Sequence, residues 1–310
     1  MTRVAVIGTG VIGAGWAALL LAHGYDVSAW DPAVAAEERL RGDIEEMWPV
    51  LSRLGLADGA SPDRLTFALS VADAAGEAVF VQESGPEVLE TKRALLAEID
   101  AAAPGDAVVA SSSSGQLPSD LQQDCDRHPE RVLVGHPFSP AHLIPLVEVV
   151  PGRRTDPGVA ERALAFYEGL GKRAILVRQE LPGHVTNRLQ VALWREAYAL
   201  VQRGVASVAD IDAAIAHGPG LRWALLGPLA NQHLGGGPGG LAHVLEHLGP
   251  PAEAWMNDLS PTPHLTPELV RLLVGGVEEE LAGIDQTALA ATRDELLVEI
   301  LERKRDHGLG

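Results

Sequence analysis

The sequence predicts a doubly wound α/β domain followed by an all-α domain. Strand-like runs rich in β-branched residues alternate with helical segments through roughly the first 180 residues, which is typical of a doubly wound sheet. From residue 183 onward, helical segments are broken by glycine and proline, and no strand pattern is convincing. A chain of 310 residues is also long for one core. We therefore predict two domains, residues 1–182 and 183–310.

The predicted strands of the first domain are short β-branched or apolar runs bounded by turn residues or charged residues. In chain order they are Val4–Gly8, Asp26–Asp31, Ala78–Glu83, Ala107–Ser111, Val132–Pro137, Leu146–Val150 and Arg173–Arg178. The segments between them, such as 88–102 and 157–170, have helical patterns. In the second domain, residues 189–201 repeat apolar positions at helical spacing and predict a long helix.

Three glycines follow the first predicted strand directly, in the spacing GxGxxG. They are Gly8, Gly10 and Gly13, and Val11 and Ile12 lie between the last two. Two of these glycines let the backbone turn and approach a pyrophosphate, and the third lets the helix pack on the strand. The helix N-terminus then offers unpaired N–H groups to the phosphates. In a chain with 33 glycines the spacing alone also describes an ordinary turn, but the flanking strand and helix favour a dinucleotide-binding, Rossmann-type domain.

An acidic residue, Asp31, ends the second predicted strand 18 residues after Gly13. A carboxylate here accepts hydrogen bonds from the ribose hydroxyls of the adenosine half and repels a 2′-phosphate. No arginine follows it in the next three residues, Pro32 to Val34. The position therefore favours NAD(H) over NADP(H). The alternative is that Asp31 only caps the next helix.

The charge balance excludes some partners. A formal net charge of −18 argues against nucleic acid and anionic membranes, because both are bound through cationic patches.

No apolar run approaches the roughly 20 residues of a membrane span, and no signal peptide precedes the first strand. Cys125 is the single cysteine, so an intrachain disulfide cannot form and a reducing compartment is favoured. We expect a cytoplasmic protein that binds neither nucleic acid nor a membrane and holds no metal ion.

A histidine and a glutamate in VLVGHPFSPAHLIPLVEVVPG are candidates for proton transfer. His136 and Glu148 are 12 residues apart, at or near the ends of two predicted strands with a proline-containing loop between them. Histidine titrates nearest neutral pH, and a carboxylate partner orients it and stabilises its protonated form. Reduction of a ketone needs such a proton donor, and the reverse reaction needs a base. The alternative is a structural histidine and a surface glutamate.

Several motifs make the chain similar to the 3-hydroxyacyl-CoA dehydrogenase superfamily over nearly its whole length. The family's HPFNP loop and following LVEV appear here as HPFSP and LVEV, and its PGF-x-x-NR helix entry appears as PGHVTNRL. Its SNTSS strand-loop appears as ASSSSGQLPS. Ser139 stands where the family usually has Asn, which alters loop hydrogen bonding without removing the His–Glu pair.

The resemblance implies roles for individual residues. His136 would be the general acid/base and Glu148 its orienting partner. Ser114 and Asn187 would hold the substrate oxygen near that histidine, and Ser113 is the alternative to Ser114 because the serine run leaves the register uncertain by one residue. The family's acidic residue after its fourth strand and a lysine nine residues later match Glu83 and Lys92. Both would lie near the nicotinamide half of the cofactor.

The segment after the second strand argues against coenzyme A as part of the substrate. Members of the family that act on CoA esters use basic residues there to hold the CoA phosphates. The interval 33–64 of this chain has seven acidic residues against four arginines and no lysine. Coulomb repulsion would oppose a highly anionic ligand. A solvated acidic helix face is equally consistent with the segment.

A second segment, GPGLRWALLGPLANQHLGGGPGG, is similar to the branch of the family that contains lambda-crystallin (L-gulonate 3-dehydrogenase), L-carnitine dehydrogenase and aromatic polyketide ketoreductases. The substrates of that branch are mostly free acids or ketones without CoA. Arg222 would then bind a substrate carboxylate, and Trp223 would supply an aromatic wall or a cation–π face. Alternatively, Arg222 is a surface residue and Trp223 a core residue.

We therefore predict an NAD-dependent 3-hydroxy acid dehydrogenase or 3-keto reductase. Hydride passes between the nicotinamide and substrate C3 while His136 transfers the hydroxyl proton. The alternatives are a 3-hydroxyacyl-CoA dehydrogenase acting on a CoA thioester, a ketoreductase of a polyketide pathway, and a catalytically silent NAD-binding protein. The resemblance and the helical second domain also predict a homodimer formed through that domain.

Overall fold

The computed structural model of the protein describes residues 2–260 and 264–309. The chain forms two compact units, Met1–Arg188 and Leu189–Gly310. The units divide between Arg188 and Leu189, and the domain boundary predicted between residues 182 and 183 stays a prediction.

The first unit contains one sheet, in which we find eight strands among the described residues. They are β1 (Arg3–Ile7), β2 (Asp26–Trp30), β3 (Leu65–Phe67), β4 (Phe80–Glu83), β5 (Val108–Ser111), β6 (Val132–Pro137), β7 (Leu146–Pro151) and β8 (Arg173–Leu176). Their order across the sheet is β3-β2-β1-β4-β5-β6-β7-β8. The strand order reverses between β1 and β4, and ligands of such sheets bind beyond the carboxyl ends of the strands at this point.

One strand pair departs from the parallel arrangement. β6 and β7 are antiparallel, whereas β1 to β6 pair in parallel and β8 is parallel to β7. In this pair His136 lies directly opposite Glu148. Because residues directly opposite on neighbouring strands hold their side chains on one face, the register itself brings the two candidate groups together.

Helices cover both faces of the sheet, which is why four consecutive residues of β1, from Val4 to Ile7, are buried. The first unit contains α1 (Val11–Ala22), α2 (Ala36–Leu54), α3 (Val71–Ala75), α4 (Leu89–Ala102), α5 (Pro118–Leu121) and α6 (Pro157–Gly169), and α7 (Thr186–Gln202) begins in it. Val4 and Val6 belong to a core shared with α1, α2 and α6. Ala5 and Ile7 belong to a second core shared with α3 and α4. The prediction of a doubly wound α/β domain is confirmed.

The predicted strands agree with the structure to within two residues at either end, with one omission. The sequence did not predict β3, which is only three residues long and follows the 3-10 turn Pro62–Arg64. It pairs with β2 at the edge of the sheet. Three residues are too few to display the alternation by which strands are recognised.

The second unit is helical, and its described residues contain no strand. After α7 come α8 (Val208–Ala216), α9 (Pro219–Trp223), α10 (Pro228–Gly235), α11 (Gly240–Asp258), α12 (Pro267–Glu280) and α13 (Gln286–Asp306). The predicted all-α second domain is confirmed. Across the described parts of the chain, we find no helix with the length and apolar character needed to cross a membrane.

Candidate active site

The three glycines of the GxGxxG segment have different physical reasons to be glycine. Gly8 has φ +91°, a backbone conformation that side chains disfavour, and a Cβ there would lie 2.7 Å from the backbone of Ser84 and Gly85. A Cβ on Gly13 would lie 1.9 Å from the carbonyl oxygen of Gly8. A Cβ on Gly10 would meet no atom within 4 Å. Packing therefore requires glycine at the first and third positions, while the second borders open space at the start of α1.

That open space fits the pyrophosphate of a dinucleotide. Val11 begins α1 and is 78% exposed, and Ile12 is partly buried against the core. The first N–H groups of a helix have no partner within it, so they are available to phosphate oxygens. A bare backbone at Gly10 lets a ligand approach these groups closely, which is the arrangement that a dinucleotide needs.

Asp31 follows β2 immediately, and its carboxylate is held by the backbone. Oδ2 accepts a hydrogen bond from the Thr9 amide at 2.8 Å, and Oδ1 accepts one from the Ala33 amide at 2.9 Å. The residue preceding α2 is Ala35, so Asp31 does not cap the next helix. An open surface depression of about 560 Å³ begins two residues later in the chain, at Ala33. It is lined by Ala33, Ala35, Ala36, Glu37, Glu38, Arg41 and Phe67.

Glu83 and Lys92 form a buried ion pair at the carboxyl end of β4. The Lys92 ammonium donates to both carboxylate oxygens of Glu83, at 3.0 and 3.1 Å, and to the carbonyl of Gly85. The Ser111 hydroxyl donates to the same carboxylate. Burial raises the pKa of Glu83 above its ordinary value, although the Lys92 charge and these hydrogen bonds oppose the shift. Both side chains are buried, and their predicted place near the nicotinamide half stays a prediction.

The His136 and Glu148 side chains form a buried hydrogen-bonded pair. His136 Nδ1 lies 2.9 Å from Glu148 Oε2, and the two residues are 4% and 0% exposed. A carboxylate only accepts, so Nδ1 carries the proton and Nε2 is left as the basic nitrogen of the neutral ring. Nε2 has no hydrogen-bond partner among the residues that the structure describes. The ring is thus oriented by one nitrogen and chemically available through the other.

The second oxygen of Glu148 binds the start of α7. Oε1 accepts hydrogen bonds from the amides of Val185 at 2.9 Å and Thr186 at 3.0 Å. Burial alone would raise the pKa of Glu148, but the bonds from His136 and these amides lower it below its ordinary value. The positive end of the helix dipole acts in the same direction. The carboxylate is therefore held in its charged form beside the histidine.

The serine loop after β5 distinguishes Ser114 from Ser113. The Ser113 hydroxyl donates to Glu87 at 2.6 Å and accepts from the Gln116 amide, and Ser113 is fully buried. Glu87 also accepts from the amides of Ser114 and Gly115. The Ser114 hydroxyl is on an exposed residue and has no partner within the described chain. Of the two serines, only Ser114 has a hydroxyl left for a ligand.

Five consecutive residues, Gly183 to Asn187, connect the serine loop with the His–Glu pair. The Gly183 amide donates to Gly115, His184 Nε2 lies 3.2 Å from the Ser113 carbonyl oxygen, and Asn187 Nδ2 donates to the Ser114 carbonyl at 2.9 Å. Between them, the next two amides reach Glu148. This connecting segment brings Ser114, His136, Glu148 and Asn187 into one network within the first unit.

The structure places the two remaining predicted site residues in the second unit. Arg222 and Trp223 end the short helix α9, and both are exposed. The alternative that Trp223 is a core residue is wrong, since 42% of it is accessible. Among the described residues, no group of three His, Cys, Asp or Glu side chains is arranged to hold a metal ion.

Sequence reasoning missed three residues that shape the site: Glu87, Ser111 and His184. Glu87 and Ser111 act across about 26 to 28 residues of sequence, so no local pattern reveals them. His184 did carry a signal, because it stands where the family pattern PGF-x-x-NR has Phe. A polar residue at an expected apolar position is a reason to look for a partner.

Comparison with known proteins agrees with this geometry. The model of the "3-hydroxyacyl-CoA dehydrogenase, NAD binding domain" matches residues 3–181, and that of the C-terminal domain matches residues 183–269. The chain is 51% identical over 299 residues to L-carnitine dehydrogenase of Streptomyces griseus, covering 96% of this chain and 89% of the relative. It is 46% identical over 309 residues to L-carnitine dehydrogenase of Pseudomonas putida, covering 98% and 96%.

A solved structure extends the likeness to three dimensions. The NAD⁺-dependent 5-formyl-3-hydroxy-2-methylpyridine 4-carboxylic acid 5-dehydrogenase is similar with a TM-score of 0.85 and 30% identity, over 99% of both chains. The glycine loop, the carboxylate after β2 and these matches agree on the cofactor and on the type of reaction. The chain belongs to the 3-hydroxyacyl-CoA dehydrogenase family and is an NAD-dependent dehydrogenase acting on a CH–OH group.

Proposed function

We propose that this enzyme oxidises the 3-hydroxyl group of a free 3-hydroxy acid, with L-carnitine as the first candidate substrate, and that His136 and Glu148 carry the proton transfer. The observation that supports this most is the buried His136–Glu148 pair at 2.9 Å with Nε2 of the histidine unpaired. A histidine that a carboxylate orients in this way can act as a general acid/base, because its other nitrogen can exchange a proton with a substrate hydroxyl.

In the oxidative direction, the substrate hydroxyl donates its hydrogen bond to His136 Nε2. As the O–H bond breaks, the proton moves to Nε2 and the ring becomes positively charged. Glu148 stabilises that charge through Nδ1–H, and its own negative charge is maintained by the amides of Val185 and Thr186. In the reductive direction the protonated ring returns the proton to the developing alkoxide.

Ser114 and Asn187 are proposed to hold the reacting oxygen beside His136. The Ser114 hydroxyl is free to donate to the substrate oxygen, and Asn187 fixes the Ser114 carbonyl. Hydrogen bonds to an oxygen on which negative charge develops are stronger in the transition state than in the ground state. These two residues would therefore contribute to turnover as well as to binding.

The cofactor fits the glycine loop and Asp31. The bare backbone at Gly10 and the start of α1 would take the pyrophosphate, and the Asp31 carboxylate would take the ribose hydroxyls. When bound, NAD supplies the acceptor for the hydride that leaves substrate C3. The seven acids between residues 33 and 64 would disfavour a second anionic ligand such as a CoA ester in that region.

The choice of L-carnitine rests on the relatives and on charge. Curated relatives that are 45–51% identical across nearly the whole chain are L-carnitine dehydrogenases. L-carnitine has one carboxylate and one quaternary ammonium group, so it carries no net charge to be repelled by a chain of net charge −18. Arg222 is the candidate partner of the carboxylate, and Trp223 is the candidate aromatic face.

The test is turnover of a matched panel of ketones with NADH, in the wild-type enzyme and in His136→Gln. The panel contains dehydrocarnitine, acetoacetyl-CoA, a 3-keto sugar acid and a bicyclic polyketide ketone. We expect preference for dehydrocarnitine, and a loss of about 10²- to 10⁴-fold in turnover in the variant with nearly unchanged NADH affinity. Preference for acetoacetyl-CoA or for the polyketide would replace the proposed substrate, and a loss of less than tenfold would remove His136 from its role.

Substrate contacts by the second unit have a separate test. Arg222→Lys keeps the positive charge but removes the planar fork that binds a carboxylate through two parallel hydrogen bonds. We expect a higher KM for the acid substrate with an unchanged KM for NADH. A KM that does not change would return Arg222 to an ordinary surface residue.

We also propose that the second unit forms a homodimer with a second copy of the chain. Only three hydrophobic residues of its described part are fully buried, which are Ala199, Leu269 and Val298. Large apolar side chains remain exposed in its helices, among them Leu229, Leu234, Leu245, Trp255 and Met256 at 57% or more. A unit of this size needs further apolar burial, and a symmetric partner supplies it. Light scattering in solution tests this, and a monomeric mass would refute it.

A further inference from the structure

His184 departs both from the family pattern and from ordinary backbone geometry. It occupies the position of Phe in PGF-x-x-NR, it is fully buried, and its φ of +51° lies in the left-handed region that side chains rarely adopt. That backbone conformation immediately precedes the two amides that bind Glu148. The residue thus lies at the centre of the connecting segment, between the serine loop and the His–Glu pair.

The hydrogen bond of His184 determines which of its nitrogens carries the proton. Nε2 lies 3.2 Å from the carbonyl oxygen of Ser113, which can only accept, so Nε2 is the protonated donor. In the neutral ring Nδ1 is then a lone-pair nitrogen, and it is buried without a partner in the described chain. The ring centroid lies 5.5 Å from that of His136. His184 therefore binds the serine loop on one side and adjoins the His136 ring on the other.

We propose that His184 is a positioning residue, which fixes the serine loop through the Ser113 carbonyl so that the Ser114 hydroxyl is held for the substrate beside His136. This inference rests on the role given to Ser114 in the proposed function. Glu87 holds the loop by the Ser113 hydroxyl and by two amides, and Asn187 holds the Ser114 carbonyl. The Ser113 carbonyl is a further attachment, beside the bond from the Gly183 amide to Gly115, and His184 provides it.

The environment of His184 indicates that this histidine contributes little to the stability of the folded protein. Burial lowers its pKa, and the nearby His136 ring acts in the same direction, whereas the bond to Ser113 opposes the shift. The lowered pKa favours the neutral form of the His184 ring. Its unpaired Nδ1 is a cost that Phe at the same position would avoid. Replacement by Phe adds a different cost, the unpaired Ser113 carbonyl, so we expect little net change in Tm.

Three variants separate the hydrogen bond from the backbone geometry. His184→Phe fills the space and has no donor. His184→Gln places an amide donor near the position of Nε2. His184→Asn also has a donor, but its side chain is one carbon too short to reach the Ser113 carbonyl, although Asn tolerates positive φ best of the three. If only backbone strain mattered, the Asn variant would be the best enzyme. If the donor matters, the Gln variant is the best enzyme.

The first measurement is amide hydrogen exchange of the loop in the full-length enzyme without substrate. We expect faster exchange at Ser114 and Gly115 in the Phe and Asn variants, and near wild-type exchange in the Gln variant. This readout does not depend on the identity of the substrate. Unchanged exchange in His184→Phe would overturn the inference whatever the enzyme oxidises.

The second measurement is a double-mutant cycle between His184→Phe and Ser114→Ala, using L-carnitine and NAD. Alone, His184→Phe should lower kcat/KM for L-carnitine about 3- to 10-fold, the worth of one hydrogen bond, and leave the KM for NAD unchanged. In the Ser114→Ala background it should have no further effect, because it acts through that hydroxyl. An additive loss would overturn the inference. If Ser114→Ala alone has no effect, the proposed role of Ser114 fails, while hydrogen exchange still decides whether His184 anchors the loop.

Discussion

At the scale of single residues, Glu148 has two tasks that one carboxylate performs with separate oxygens. Oε2 orients His136, and Oε1 accepts the first amides of α7. A charge buried among apolar strands would be costly by itself, but these three hydrogen bonds and the helix dipole compensate. The group that orients His136 is therefore also the group that joins α7 to the sheet. Substitution of Glu148 would disturb both, which makes His136 the cleaner position for testing chemistry.

Asp31 allows a prediction about cofactor choice. Asp31→Asn keeps the shape of the side chain but removes its charge and turns one acceptor into a donor. We expect the KM for NAD to rise about tenfold, since hydrogen bonds from the ribose to a carboxylate are stronger than those to an amide. We also expect the preference for NAD over NADP to fall, because the repulsion of a 2′-phosphate disappears. Initial rates with both cofactors provide the measurement.

The Asp31 side chain also binds the Thr9 and Ala33 amides, so its substitution could disturb the loop as well as the cofactor contact. The two effects can be distinguished. A loss of loop structure would weaken binding of both cofactors equally. A loss of selectivity would change their ratio. An unchanged NADP-to-NAD ratio would therefore contradict the role of the charge, even if both affinities fell.

The sequence predicted single residues well where their role follows from neighbouring residues. It predicted them poorly where the role depends on partners that are distant in the sequence. Gly8 and Asp31 are found because strand, turn and helix follow one another within about thirty residues. Glu87 could not be found in this way, since it lies in a short polar turn and its partners are about 26 to 28 residues away. Whether Ser113 or Ser114 has a free hydroxyl likewise depends on where Glu87 lies in space.

At the scale of elements, the β1–α1 turn separates two kinds of glycine, and a matched pair of variants tests the distinction. Gly10 has φ −65°, which alanine adopts readily, and has open space at its Cβ position. We expect Gly10→Ala to leave Tm unchanged or slightly higher, but to weaken NAD binding at least about tenfold, because the methyl group occupies the approach of the pyrophosphate. Gly13→Ala should instead destabilise the first unit by about 1–3 kcal/mol, because its Cβ would overlap the Gly8 carbonyl.

Thermal unfolding and NADH titration of both glycine variants give the answer. If Gly10→Ala bound NADH like the wild type, the open space at Gly10 would not be the pyrophosphate site. If Gly13→Ala were as stable as the wild type, the turn would be able to shift and the close packing of α1 on β1 would not be needed.

A buried ion pair joins α4 to β6 and carries a second prediction at this scale. Arg131 precedes β6, and its guanidinium binds the carboxylate of Asp100 in α4 at 3.1 Å as well as the carbonyls of Ala103 and Pro104. Both charged side chains are at most 2% exposed. Arg131→Met removes one charge and leaves the other buried, so we expect a loss of about 3–5 kcal/mol in the free energy of unfolding.

The control for Arg131→Met is the double variant that also carries Asp100→Asn. Removing the stranded charge should restore part of the lost stability, and the Asn side chain still accepts from one of the Arg127 and His128 amides that now bind Asp100. Urea unfolding of the three proteins measures the difference. Equal stability of the single and double variants would mean that the charge is not the cause of the loss.

The direction of one strand could have been predicted but was not. The connection between β6 and β7 has eight residues, 138–145, which is shorter than the dozen or so that a parallel crossover requires. The two strands had to be antiparallel, and then His136 and Glu148 face each other if the turn is tight. By contrast, the three residues of β3 contain too little pattern to be recognised before the structure is known.

At the scale of the whole molecule, the distribution of lysines links stability to pH. The chain has only three, Lys92, Lys172 and Lys304. Lys172 is buried between α6 and β8, where its ammonium donates to the carbonyls of Ala141 and Ile144 and lies 5.5 Å from the Trp16 ring. Within residues 2–260 and 264–309, we find no carboxylate bonded to this ammonium. Its two hydrogen bonds hold the loop that follows His136.

Burial lowers the pKa of Lys172 from 10.5 to about 7, and this fixes the sign of a pH effect. Between these values the unfolded chain binds the proton and the folded chain does not, so stability rises with pH in this window and is lost as the pH falls towards 7. Cys125, whose pKa burial raises to about 12, acts in the opposite direction only above about pH 9. The interval from about pH 7 to about pH 9 therefore isolates Lys172, where we expect a rise of roughly 2 kcal/mol.

Lys172→Met should abolish that rise, since the group that exchanges the proton is gone. Its own stability at any one pH is less informative, because it also loses two hydrogen bonds to the loop. The measurement is urea unfolding at several pH values, with Lys304→Met as the matched control for removing a lysine at the surface of the second unit. Two stability curves that run parallel for wild type and Lys172→Met would mean that Lys172 keeps its proton in the folded chain, held by the two carbonyls and the Trp16 ring. A curve that is flat only in Lys172→Met would show that this one buried side chain sets the pH dependence of the protein's stability in this window.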